Sequence, residues 1–190
     1  MPPRVKITKQ MVVEASFELV RESGHENLNA RTIAERLQCS TQPVLYSFRT
    51  MDEIRQAVYE IADEYHTAFI LPKETDADPM LALGLNYVCF GHKEKNLFRF
   101  LFQTDQFGGM DVNALLDDPN LSAVLEVMAK GFSCSPGEAR EMFFAFFCAA
   151  HGLASLLANN SMAYEEGQCR EMLEQVYRGM IESRKGREHA

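Results

Sequence analysis

The spacing of hydrophobic positions predicts a chain built from α-helices. Apolar residues recur every three or four positions in most stretches, as at Val12, Ala15 and Leu19, which is the period of an amphipathic helix. No alternating strand pattern, internal repeat or low-complexity tract stands out. The sequence therefore predicts an all-α protein.

Capping residues predict where the helices begin and end. A first helix is predicted from about Thr8 to Ser23, where Gly24 suits the C-terminal cap. Thr50-x-x-Glu53 is a capping box that predicts a long helix over residues 51–69. Further helical segments are predicted from residue 79, at 95–104, 112–116, 119–132, 136–159 and 164–184, with a loop at 105–111 and a disordered end at 185–190.

Two short helices joined by a tight turn are predicted between Asn29 and Phe48. Asn29 and Ser40 are good N-terminal caps, and Val44 and Phe48 are expected to point inward. The outward face of the second helix is predicted to carry Thr41, Gln42, Pro43, Tyr46 and Ser47. This is a helix-turn-helix pattern, which places its second helix in the DNA major groove.

The first fifty or so residues contain a series of motifs in a fixed order: VVEASFELVRESG at 12–24, Leu28, TIAERLQCS at 32–40, the recognition helix, Phe48 and MDEIRQAV at 51–58. This order of motifs resembles the DNA-binding domain of the TetR family of bacterial transcription regulators. The chain departs from the family pattern at Leu45, Ser47 and Met51, where tyrosine, histidine and lysine are usual. The resemblance implies operator binding, a homodimer and an effector pocket in a second domain.

The charge distribution is compatible with a DNA-binding domain at the start of the chain followed by a second domain. Residues 1–50 carry seven Lys/Arg and five Asp/Glu, a net +2, whereas residues 51–190 carry twelve and twenty-two, a net −10. Only the first segment is expected to be drawn to a polyanion, although ordinary solvated surface charge is an equally good interpretation. The predicted domains are the helix-turn-helix domain at 1–50, a connecting helix at 51–70, and an effector-binding and dimerisation domain at 71–190.

The residues expected to contact DNA divide into those that read bases and those that bind phosphates. Glutamine can pair bidentately with adenine, and apolar groups can meet a thymine methyl. The candidate base contacts are Thr41, Gln42, Pro43 and Tyr46. The candidate phosphate contacts are Tyr46, Thr32, Ser47 and Arg49, with weaker contributions from Lys6 and Arg31. A dimer would read an imperfect palindrome in double-stranded DNA.

Aromatic and methionine side chains in the second half predict a pocket for a small apolar effector, since such side chains suit an adaptable cavity. The candidate lining residues are Tyr65, Phe90, Phe98, Phe102, Phe107, Met110, Met128, Phe143, Phe147 and His151. For any one of them, simple filling of the core is the competing interpretation. No cofactor is predicted.

The last two helices carry more apolar surface than a small domain can cover, which predicts a four-helix homodimer interface. The longest apolar run, near residues 142–150, is too short to span a membrane, and no signal peptide is evident. Five scattered cysteines do not suggest a disulfide framework. We therefore expect a cytoplasmic protein without membrane contact.

Other chemistry is weaker in the sequence. Cys89-x-x-His92 and Cys148-x-x-His151 have a spacing that could bind zinc, but core positions explain them as well. Cys39 could be a redox switch, and His25 and His66 are expected at the surface. The common nucleotide-binding and hydrolase motifs are absent, so no enzyme is predicted. The sequence indicates a repressor released by an effector; the alternative is a helical interaction protein that has lost operator binding.

Overall fold

The computed structural model describes residues 7–104, 114–117, 121–122, 125–126, 128–129 and 134–188. Within these ranges the chain forms α-helices and two short 3-10 turns, with no strand, so the predicted all-α class is confirmed. The α-helices are α1 Lys9–Ser23, α2 Ala30–Arg36, α3 Thr41–Ser47, α4 Met51–Ile70, α5 Pro79–Lys93, α6 Lys95–Phe102, α7 Pro136–Asn159 and α8 Glu166–Glu188. The 3-10 turns are His25–Asn27 and Ala114–Asp117.

Local hydrogen bonds fix several of these helix ends. The Asn29 side chain accepts from the Thr32 amide at 3.1 Å, and the Thr32 hydroxyl accepts from the Asn29 amide at 3.2 Å. Ser135 and Glu138 form the same reciprocal capping box at the start of α7. Gly24 ends α1 with a φ of +89°, which glycine adopts without strain. The predicted caps at Asn29 and Gly24 are confirmed, whereas the Ser40 side chain makes no capping hydrogen bond.

The described chain divides by its contacts into two compact units. The first contains residues up to Ala68 together with Glu94–Thr104, and the second contains Phe69–Lys93 and the residues from 105 onward. Helix α6 therefore groups with α1, although it lies within the predicted domain at 71–190. The reason is a set of contacts between Glu94, Asn96 and the end of α1.

The first unit buries the apolar faces of α1 to α4. Val12, Ile33, Val44 and Ile54 are fully buried, as the helical spacing predicts. His66 is also buried, and its ring packs edge-on against Phe102 at a centroid distance of 5.1 Å. The prediction that His66 lies at the surface is wrong, because this histidine continues the buried stripe of α4.

The second unit is built around a close contact between α5 and α7. A Cβ atom added to Gly91 would lie 2.8 Å from the Cβ of Ala154 and 2.9 Å from its carbonyl oxygen. By contrast, a Cβ added to Gly152 would meet nothing within 4 Å. Gly91, and not Gly152, therefore provides the close contact between these two helices.

Helix α7 is buried on one face of this chain and exposed on another. Met142, Phe146 and Ala154 are buried, whereas Cys148 and Leu156 are exposed. Among the described residues, α7 is the one helix whose length and composition would suffice to cross a membrane. The core helix of a soluble protein meets the same criteria, so this feature is weak evidence for a membrane.

Three further predictions concern the C-terminal end of the chain and the segment between residues 105 and 116. Helix α8 continues to Glu188, so the expected disorder from residue 185 is wrong for 185–188. The predicted helical turn at 112–116 corresponds to the 3-10 turn Ala114–Asp117. The predicted loop at 105–111 lies outside the described residues.

Candidate nucleic-acid interface

The connection between α2 and α3 is a tight turn. Gln38 adopts a left-handed conformation with a φ of +53°, and the Cys39 amide donates to the Ala34 carbonyl at 2.9 Å. This bond closes the C-terminal end of α2. Val44 and Phe48 anchor α3 from below and are confirmed as buried. Helix α3 is therefore held by two apolar side chains, and its opposite face is free of the core.

The exposed face of α3 differs from the predicted one. Tyr46 is 92% exposed, Leu45 is 48% exposed, and Thr41 and Gln42 are exposed as well. Pro43 and Ser47, on the other flank of the helix, are half-buried, and the Ser47 hydroxyl donates to the Pro43 carbonyl at 3.1 Å. The outward surface of α3 thus includes Leu45, which the sequence analysis did not select.

The position of Leu45 relative to Thr41 could have identified it as an outward-facing residue. A helix turns by about 100° per residue, so Leu45 shares a flank with Thr41 four residues earlier. Pro43 and Ser47 share the opposite flank for the same reason. Periodicity alone does not say which flank packs against a neighbour, and the apolar side chain of Leu45 argued against an outward position.

Three basic side chains of the first unit lie within the helix-turn-helix or beside it. Arg31 is exposed and pairs with Glu35 at 2.9 Å. Lys9 places its ammonium 4.7 Å from the centre of the Phe48 ring, a cation–π distance. Arg49 is exposed directly after Phe48. A phosphate that binds Arg31 would have to replace its ion pair with Glu35.

The other two predicted phosphate contacts are placed differently. The Thr32 hydroxyl lies 2.8 Å from the Asn27 carbonyl and also completes the cap of α2. Its hydroxyl is thereby occupied within the chain. Lys6 lies outside the described residues.

A charged network joins α1, α4 and α6 within the first unit. The Arg21 guanidinium donates to both carboxylate oxygens of Glu94, through Nε at 2.9 Å and Nη2 at 2.5 Å. The Tyr65 hydroxyl donates to the same carboxylate at 2.9 Å and accepts from Arg21 at 3.1 Å. The hydrogen bond to Glu94 raises the pKa of Arg21, and burial raises that of Tyr65. Asn96 donates to the Arg21 carbonyl and holds the start of α6 to the end of α1.

The predicted effector residues fall into both units. Tyr65, Phe98 and Phe102 belong to the first unit, where the Phe98 and Phe102 rings lie 5.1 Å apart. Phe90, Met128, Phe143, Phe147 and His151 belong to the second, and Phe90, Met128 and Phe143 are buried there. Phe107 and Met110 lie outside the described residues.

One polar contact stands out in the aromatic group of the second unit. The Tyr87 hydroxyl lies 2.9 Å from Nδ1 of His151. The Phe147 ring packs against both, at centroid distances of 5.5 Å from Tyr87 and 5.6 Å from His151. Burial raises the pKa of Tyr87 and lowers that of His151, which favours the neutral form of each group. Sequence reasoning found Phe147 and His151 but missed Tyr87.

The two side chains of the Cys148-x-x-His151 pair lie in different surroundings. Cys148 is exposed, whereas His151 contacts Tyr87. The His92 ring stacks on Tyr164 at a centroid distance of 4.5 Å. Among the described residues, no three metal-binding side chains come together.

A cavity of about 440 Å3 lies between α7 and α8. Its lining includes the apolar side chains of Met142, Ala145, Val176 and Met180, together with Glu138. None of the predicted effector residues is part of this lining. The cavity therefore marks the outer surface of the last two helices rather than the aromatic group.

Comparison with known proteins gives matches among solved structures. No family model matches the sequence, and no curated protein matches it. A TetR-like transcriptional regulator from Rhodococcus sp. RHA1 aligns over 93% of this chain and 96% of its own, with 14% identity and a TM-score of 0.63. A transcriptional regulator from Rhodococcus sp. Rha1 aligns over 93% and 97%, with 16% identity and a TM-score of 0.63. This chain therefore has the fold of TetR-like transcriptional regulators.

Proposed function

We propose that this protein is a one-component transcription regulator that inserts α3 into the major groove of operator DNA. The observation that carries the proposal is the placement of α3: Val44 and Phe48 are buried, while Gln42 and Tyr46 face solvent. A short helix anchored by its apolar face and exposing hydrogen-bonding and aromatic groups suits base-edge contact. The regulator fold of the two solved structures supports the same function.

The proposed contacts follow the exposure of each side chain. Thr41, Gln42 and Tyr46 meet base edges, and Arg49 meets the backbone phosphate. Arg31 joins them once a phosphate replaces its ion pair with Glu35. The remaining predicted contacts, Lys6, Thr32, Pro43 and Ser47, are minor or indirect in this scheme.

We further propose a cytoplasmic homodimer formed through α7 and α8. Leu156, Met172 and Val176 are large apolar side chains that the single chain leaves exposed on these helices. Covering them with a second copy would remove apolar surface from water, which favours association. Two copies would present two α3 helices to the two halves of a palindrome.

Repression with release by a small apolar effector completes the proposal. The aromatic group around Tyr87, Phe147 and His151 supplies apolar walls and a polar contact, as ligand sites commonly do. Helix α4 continues from the first unit into the second, so a shift of α4 could carry the signal. For release, the effector must prefer the DNA-free form by a coupling of roughly 1–3 kcal/mol or more.

The DNA-binding proposal is tested by selecting duplexes from a random pool and measuring affinity at several salt concentrations. We expect an enriched palindrome and an affinity that falls steeply as salt rises, because bound phosphates release counterions. The Gln42→Ala, Tyr46→Ala double variant should lose this binding. Gln56→Ala, which changes an exposed glutamine of α4, is the matched control and should retain it.

The same binding measurements distinguish a regulator from the alternative, an interaction protein that has lost operator binding. A folded protein that enriches no duplex and binds DNA no better than the double variant would be an interaction protein without operator binding. Sedimentation of wild type and Val176→Glu tests the dimer, since a charge placed in an apolar interface should shift the protein toward monomer. An unchanged dimer in that variant would exclude this part of α8 from the interface.

A further inference from the structure

The first unit exposes large apolar side chains at one place among its described residues. Leu45 and Tyr46 are the large hydrophobic residues that are exposed there, and they are neighbours on α3. The other large apolar side chains found exposed belong to the second unit. Leaving about half of a leucine in water gives up part of the stabilisation that burial provides. Leu45 therefore offers an apolar contact directly beside the proposed reading residues.

The position of Leu45 on the helix narrows the choice of occupant. Leu45 lies three residues after Gln42 and four after Thr41, so it forms one continuous surface with them. The opposite flank, Pro43 and Ser47, is half-buried. If α3 enters the major groove through Gln42, then Leu45 enters with it.

The major groove offers one apolar group to such a side chain, the C5-methyl of thymine. A leucine has no donor or acceptor, so it cannot bond to the other base edges or to a phosphate. We infer that Leu45 is a specificity-determining residue that contacts a thymine methyl, beside the base read by Gln42. This inference rests on the proposed function. It requires one thymine at a defined position in each half-site of the operator.

The test removes the methyl group from the DNA rather than the side chain alone. Each thymine of the selected duplex is replaced in turn by deoxyuridine, which keeps every hydrogen-bonding group and lacks only the methyl. For wild type we expect one thymine per half-site at which replacement weakens binding by about fourfold, from the burial of one methyl. Replacement in both half-sites should weaken binding by about 15-fold if the two contacts add.

The Leu45→Ala variant removes the other partner of the proposed contact, so that protein and DNA changes can be combined in a double-mutant cycle. This variant should bind the thymine duplex more weakly than wild type and should show no further loss on deoxyuridine replacement at that position. Alanine is a good helix former, and circular dichroism would establish that α3 and the fold are retained. Gln42→Ala is the control, because it should weaken binding and still show the methyl effect.

Three outcomes would overturn the inference. Wild type could be insensitive to every replacement, or Leu45→Ala could retain the full methyl effect. The effect could also vanish in Tyr46→Ala instead, which would assign the contact to Tyr46. Each of these outcomes leaves operator binding established. Failure to bind any duplex would instead refute the proposed function and the inference with it.

Discussion

Gly91 holds α5 and α7 at a distance that leaves no room for a side chain. A Cβ at this position would lie 2.8 Å from the Cβ, 2.9 Å from the carbonyl oxygen and 3.0 Å from the Cα of Ala154. Two of these three atoms are backbone, so no rotamer change can move them away. The substitution Gly91→Ala must therefore push the two helices apart.

Two opposing effects determine how much Gly91→Ala changes the free energy of unfolding. Overpacking a tight core contact costs about 1–3 kcal/mol, whereas alanine gains roughly 0.5–1 kcal/mol over glycine inside a helix. A Cβ at Gly167 would meet nothing within 4 Å, so Gly167→Ala isolates the gain. The two variants should differ in free energy of unfolding by about 1–3 kcal/mol, with Gly91→Ala the less stable.

Urea denaturation followed by circular dichroism, at one fixed protein concentration, measures this difference. In thermal unfolding, the same difference corresponds to roughly 2–12 °C in Tm for a chain of this size. The reasoning would be refuted if Gly91→Ala proved as stable as Gly167→Ala, since that would mean that α5 and α7 separate without cost.

Three further predictions concern the first unit. Glu94→Gln should lower the free energy of unfolding by about 1–2 kcal/mol, because it weakens two charge-assisted bonds to Arg21; the exposed Glu22→Gln should cost less, and equal losses in denaturation would contradict the role of burial. Burial lowers the pKa of His66 to about 4, below the 6.5 of an exposed histidine, so the unfolded chain binds more protons between these values and stability falls as pH drops below about 6.5. Between about pH 7 and pH 5, wild type should lose about 2 kcal/mol more than His66→Phe, and parallel denaturation curves against pH would exclude this effect. Asn29→Ala should cost about 1 kcal/mol through loss of the α2 cap, and a thermal melt equal to that of wild type would show that the cap is replaceable.

Features set by neighbouring residues were predictable from the sequence. The cap at Asn29 joins groups only three residues apart, so the residue types in that short segment were sufficient to predict it. The buried face of α3 follows from the spacing of Val44 and Phe48 in the same way. Taken in order along the first fifty or so residues, such local patterns are sufficient to indicate the regulator fold.

Features that depend on distant residues were not predictable. Glu94 meets Arg21 across 73 positions of sequence, and nothing near either residue indicates its partner. Whether Gly91 or Gly152 makes the close contact depends on which face of α7 meets α5. His66 is a different case, since its four-residue spacing from Ala62 and Val58 indicated burial and only its polarity argued otherwise.

The effector residues show the same limit. Aromatic and methionine side chains fill cores and line pockets with equal ease, so composition could not divide the ten candidates between two units. Tyr87 was missed because its hydroxyl has a role only once His151 is brought 2.9 Å from it. That contact is a product of how α5 packs against α7.

The interleaving of the two units along the chain has a consequence for protein engineering. The polypeptide passes from one unit to the other between residues 68 and 69, 93 and 94, and 104 and 105. A fragment cut at residue 50 or 68 would lack Glu94 and Asn96, and with them the partners of the end of α1. A biosensor that grafts a foreign sensory domain onto the first unit therefore needs three junctions, with residues 94–104 retained from the present sequence.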